Sequence, residues 1–144
     1  TYIQSGNVVL RSDKSAVALW KSILASIESQ LSFKPSVLVL SVEQLQSAIN
    51  GNPFPQAVSE PASLHFFFLA QQPDECDEQE LHALRSPTER FQLLDRVFYL
   101  HAPDGIGRSK LAANVEKRLG VPSTGRNFRT VDKLLQLAAA VSAN

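Results

Sequence analysis

Apolar residues recur along this chain with two periods, and the switches between them mark out helices and strands. After Ser12 or Asp13, either a candidate cap, Val17, Trp20, Ile23 or Leu24, Ile27 and Leu31 return every three or four positions. That spacing lines one face of a helix and predicts a core role for Trp20. Ahead of it, Tyr2-Ile3-Gln4 and Val8-Val9-Leu10 read as strands of a hairpin turning at Ser5-Gly6-Asn7, with a single strand through Gly6 as the alternative. Beyond Pro35, the run Val37-Leu38-Val39-Leu40 predicts a short buried strand. Ser41-Val42-Glu43-Gln44 fits a capping box, opening a helix with Val42, Leu45 and Ile49 inward. Asn50-Gly51-Asn52-Pro53 stops that helix, and a proline-rich loop follows.

Leu64 to Ala70 is the strongest strand pattern. It is apolar on both faces, so it belongs in the middle of a sheet with cover on either side. Pro73 to Arg85 predicts a short helix whose acidic start suits the helix dipole. Arg90 to Leu94 and Arg96 to His101 read as strands joined tightly at Asp95. Ser109 caps a helix carrying Leu111, Val115 and Leu119, which Gly120 and Pro122 close. A short strand near Thr124 precedes a terminal helix, capped at Thr130, with Val131, Leu134, Leu135, Ala138 and Val141 inward.

From Leu64 this order matches a split βαβ unit. The first half repeats it if a strand and a helix precede Thr1. The expected class is therefore α+β, as two tandem ferredoxin-like units. Residues 1–50 form the first, lacking its opening strand and helix; residues 51–63 are a linker loop; residues 64–144 form the second with the C-terminal helix. The chain opens in mid-pattern and holds no methionine, which reads as a fragment lacking its natural start.

Three stretches, Thr1-Tyr2-Ile3-Gln4-Ser5-Gly6-Asn7-Val8-Val9, Asn52-Pro53-Phe54 and Thr124-Gly125-Arg126-Asn127-Phe128-Arg129-Thr130-Val131, resemble the bacterial family of unknown function numbered 1697. The resemblance covers nearly the whole chain. It implies a small bacterial cytosolic protein of two ferredoxin-like halves and brings no activity, substrate or catalytic residue. The family's opening strand, with its Arg-Gly-Ile-Asn segment, is absent, and Phe128 stands where the family usually has Trp.

The chain has 144 residues, 44% apolar and 19% charged, enough for a substantial core. Net charge is zero, so no whole-molecule field draws it to nucleic acid or membrane. Charge is uneven, however. Between Gly105 and Lys133 seven bases stand against Glu116 and Asp132, a local surplus of five. The lone cysteine, Cys76, excludes an internal disulfide and a cysteine-based zinc site, and points to a reducing, cytoplasmic setting. There is no signal peptide and no membrane-spanning run.

That surplus sits on two glycine-containing loops, Gly105 to Lys110 and Ser123 to Thr130, each leading into a helix. Helix starts offer unpaired N–H groups and partial positive charge, the chemistry of an anion site. The candidate ligand-binding residues are Arg108, Ser109, Lys110, Arg126, Asn127, Arg129 and Thr130, with the four cations expected to share one recess. Tyr2, Gln4, Asn7 and Phe128 are candidates for stacking or polar contacts. The bland alternative makes the glycines turns, the hydroxyls caps, and the arginines solvated or paired with Asp104 and Asp132. The first loop lacks the spacing of a Walker motif, and the third glycine of a dinucleotide fingerprint is missing. His65, His82 and His101 show no metal-ligand spacing, and acids beside Cys76 disfavour its thiolate. The reading is a binding module for a phosphate-bearing ligand, a small molecule or nucleic acid, with no metal or cofactor implied and the oligomeric state open. The alternatives are an enzyme acting on a phosphorylated metabolite, its catalytic residues unassigned, and an interaction scaffold using a sheet edge or Ala138 to Ala143.

Overall fold

A computed structural model describes residues 6–32 and 35–143. Its centre is β1 (Leu64–Leu69), in which every residue is buried. The sheet runs β2 (Arg90–Leu94), β3 (Val97–His101), β1, β4 (Ser123–Asn127), with each neighbouring pair antiparallel. The apolar run at Leu64 thus takes an interior place with helices on both faces, and the fold is α+β.

The pleat sorts β1 between two cores. Leu64, Phe66 and Phe68 face one way, joined by Tyr99 of β3. They pack against Leu45 and Ala48 of α2 (Val42–Asn50) and against Phe128 and Val131 of α5 (Phe128–Ala143). Phe67 and Leu69 face the other way with Phe98 and Leu100. They meet Leu81 of α3 (Glu78–Leu84) and Leu111, Val115 and Leu119 of α4 (Lys110–Leu119). An Arg118–Glu80 ion pair ties α4 to α3. Asp95 turns β2 into β3 with φ 51°, a left-handed conformation that Asp tolerates.

The expected caps at Ser41, Ser109 and Gly120 are present. Ser41 and Gln44 form the reciprocal capping box, Ser109 Oγ accepts from Ala112 N–H, and Gly120 closes α4 at φ 68°. Other expectations need correction. Thr130 does not cap α5: its N–H donates to Asn127 Oδ1, so the cap lies one turn earlier and Thr130 is inside the helix. In α2 Val42 is exposed and Ala48 takes the inward position. The proline-rich loop includes a 3-10 turn, Pro55–Ser59, against which the sheet packs through Ala57.

The larger departures fall before Gly51. Val37 to Leu40 is half-buried irregular chain rather than a strand; Leu38 and Leu40 lean on the α2 core. Val8 to Leu10 is likewise irregular, with Asn7 in an isolated bridge, and the first strand of the expected hairpin lies outside the described residues. Helix α1 (Ala16–Gln30) forms, capped by Ser15, but none of its residues is buried. Trp20 is 39% exposed rather than core, its indole N–H donating to Val37 O. The physical reason is that no sheet face lies over α1 among the described residues. No helix there is long and apolar enough to cross a membrane.

Candidate anion-binding site

Strand register brings three loops to one end of the sheet. Leu64, the first residue of β1, pairs with His101, the last of β3, and His65 pairs with Asn127, the last of β4. The segment entering β1, the loop leaving β3 and the first turn of α5 therefore meet. Ala102 N–H donates to Ser63 O at 2.8 Å, holding two of these segments together. Between them lies an open recess of roughly 420 Å³, walled by Glu60, Ser63, Pro103, Gly105 and Arg129 among others. Gly105 makes its turn at φ 96°, a conformation that favours glycine.

Of the four cations expected to converge, Arg129 lines this recess, exposed in the first turn of α5. Arg126 turns elsewhere. It lies on β4 opposite Phe66, and its Nε donates to Asn7 Oδ1 at 2.8 Å. Another guanidinium nitrogen donates to Thr124 Oγ1 and to Gly125 O. Burial lowers its pKa from the ordinary arginine value. Arg126 thus clips the N-terminal segment to the edge strand. Arg108 and Lys110 are exposed on either side of Ser109, at the same end of the sheet, but their helix packs against the opposite face.

The neutral candidates fall to structural tasks. Ser109 is buried and caps α4, and Asn127 caps α5. Asn7 is buried against Arg126. Phe128, offered as a stacking platform, is buried in the core with its ring 5.8 Å from Phe66. Tyr2 and Gln4 lie outside the described residues. Asp104 accepts from Thr88, and Asp132 from Gln136, rather than from the arginines.

Glu60 and Ser63 were missed because nothing local in a polar loop says which strand ends it will meet. A second missed feature is His65, buried on the α4 side of β1. Its Nε2 has no hydrogen-bond partner; burial lowers its pKa, against a hydrogen bond to the Ala62 backbone that raises it. A second open recess, about 470 Å³, lies at the far end of α4, between Glu116, Lys117 and Pro122. It adjoins a helix C-terminus, whose partial negative charge disfavours anions. Burial first, then Glu78 and Asp77, push the Cys76 thiol up and away from thiolate. No group of three or more metal-ligating side chains is found among the described residues.

Residues 1–99 match the model of the family described as Protein of unknown function (DUF1697), and the chain belongs to that family. The matched stretch runs to Tyr99 and so stops short of Arg108, Arg126 and Arg129. No curated protein and no solved structure matches the chain.

Proposed function

We propose that this protein is a binding module for a ligand carrying phosphate, seated in the recess beside Arg129 at the start of α5. Arg108 and Lys110 meet the remainder of an extended ligand, a nucleic-acid backbone being one candidate. The observation that carries this reading is Arg129 itself, an exposed guanidinium in the first turn of a sixteen-residue helix, lining an open recess. The helix start adds partial positive charge at the same place, and charge-assisted bonds from guanidinium to phosphate are strong. A single-stranded ligand stacked on the sheet is disfavoured, because Phe66, Phe68 and Tyr99 lie beneath α2 and α5.

We read residues 64–127 as a ferredoxin-like unit. The order β2-β3-β1-β4, with α3 and α4 on one face, supports this. On the same reading residues 1–50 are part of a second such unit, with α2 laid over the sheet face that α3 and α4 leave open. The lone, non-thiolate Cys76 suits a reducing cytoplasm. Filter binding of single-stranded DNA and RNA oligonucleotides across salt tests the nucleic-acid form. Affinity that falls steeply with salt, and falls again with Arg108→Ala plus Lys110→Ala, supports it; no retention at low salt removes it.

A further inference from the structure

We propose that Asn50 is a site of spontaneous modification, converted to aspartate and isoaspartate through a ring closed by the backbone nitrogen of Gly51, at a rate set by opening of the last turn of α2. Asn50–Gly51 is the one place in the chain where glycine follows asparagine. Asn7 and Asn114 precede Val, Asn127 precedes Phe, and Asn52 precedes Pro, which has no N–H to lose. Glycine has no Cβ to shield its nitrogen, and Asn50 and Gly51 are both exposed. In the reaction the Gly51 nitrogen loses its proton and attacks Cγ of Asn50. The new C–N bond expels the carboxamide nitrogen as ammonia and closes a cyclic imide. Water then opens the ring at either carbonyl, giving aspartate, or isoaspartate with the main chain rerouted through the side chain. Amide and water are consumed, acid and ammonia are formed, and nothing is oxidised or reduced.

The fold restrains both reacting groups. Gly51 N–H donates to Ser47 O at 2.9 Å, so its nitrogen is engaged by the helix. Gln46 Nε2 donates to Asn50 Oδ1 at 3.0 Å, which draws the carboxamide back toward the preceding turn. Ring closure therefore waits for this turn to open. Tyr99 restrains the opening: its hydroxyl donates to Ala48 O at 2.7 Å, and the same oxygen lies 3.4 Å from the point that a Cβ on Gly51 would occupy. Helix ends open at small cost, so the restraint slows the reaction without abolishing it. Conversion works in one direction. A carboxylate at position 50 stands at the negative end of the helix dipole. Isoaspartate also lengthens the main chain by one carbon, which puts Gly51 N–H out of step with Ser47 O. Each converted chain holds α2 less firmly over the Phe66 face of the sheet.

Incubation of the full chain at mildly alkaline pH tests this, with peptide mass mapping to locate the converted amide and enzymatic methylation to count isoaspartate. The expected result is conversion at Asn50 ahead of Asn7, Asn114 and Asn127, about tenfold or more slower than in the same chain unfolded by urea. Tyr99→Phe should raise the folded rate by about tenfold. Gln46→Ala, at an exposed position, should raise it without touching the core. Circular dichroism checks that each variant stays folded through the incubation. The isoaspartate form, separated by chromatography, should unfold at lower urea than the parent. An Asn50 converted no faster than the other asparagines overturns the proposal. So does a folded rate equal to that in urea, or one that neither Tyr99→Phe nor Gln46→Ala moves; an isoaspartate form as stable as the parent removes the one-way loosening of α2.

Discussion

Removing one hydroxyl, by Tyr99→Phe, should loosen the hold of α2 on the sheet. The Tyr99 ring is 2% exposed and sits edge-on to Phe66 at 4.7 Å. Its hydroxyl donates to Ala48 O at 2.7 Å. Ala48 lies in the last turn of α2, where carbonyls have no partner within the helix, so Tyr99 satisfies an orphan acceptor. Phe keeps the ring and leaves that carbonyl desolvated without a donor. A buried acceptor stripped of its donor costs about 1–3 kcal/mol, and we expect about 1–2 kcal/mol here. For a chain of this size that lowers Tm by roughly 2–8 °C. Urea unfolding followed by circular dichroism reads the change, with the slope expected to stay constant. The pH dependence adds a second signature. Burial first, and Asp95 second, push the Tyr99 phenol up to about 12. A raised phenol favours the fold below its unfolded value of about 10, and that contribution is lost as pH climbs from there to the folded value. Ultraviolet titration should show one late-ionising tyrosine that Tyr99→Phe removes. A variant as stable as the parent, or a Tyr99 that titrates like a free phenol, refutes the reasoning.

Gly125 should reject even a methyl group. A Cβ there would lie 2.8 Å from Cε1 and 3.0 Å from Cδ1 of Phe67, a ring fixed in the α3–α4 core. Gly125→Ala should destabilise by about 1–2 kcal/mol by thermal unfolding, whereas adding Phe67→Leu should recover part of that loss through the released contact. Gly107→Ala, in open space, should be neutral or stabilising by up to about 1 kcal/mol. His65 should make the protein acid-sensitive. Its lowered pKa means the neutral form is favoured in the fold, so its contribution is whole above pH of about 6.5 and is lost as pH falls from there through the folded value. Replacing it by Phe should flatten the stability curve across that window in urea titrations at stepped pH.

What could be read in advance was what the chain encodes locally. The Ser41 and Ser109 caps and the Gly120 stop depend on neighbours three or four residues away, and each forms. The run at Leu64 names its own burial because it is apolar on both faces. Helix α1 shows the limit. Periodicity tells which face of a helix is apolar, not whether anything lies over it, so Trp20 was placed in a core that the described residues do not supply. Thr130 was misplaced because Asn127 both ends β4 and caps α5, and a residue serving two elements leaves no gap for a pattern to reveal. The candidate site was legible as a cluster of charge, not as a place. Whether Arg126 reaches outward or toward Asn7, far along the chain, depends on which strand lies at the sheet edge. The recess beside Arg129 exists only because three strand ends fall in register.

The central claim is that the recess beside Arg129 holds phosphate. Titration of the full chain with pyrophosphate at low salt, followed by backbone amide shifts, tests it most directly. Saturable shifts are expected at Gly105, Phe128 and Arg129, weakened roughly tenfold or more by Arg129→Ala. Unmoved amides in those segments, or the same affinity after Arg129→Ala, would contradict it.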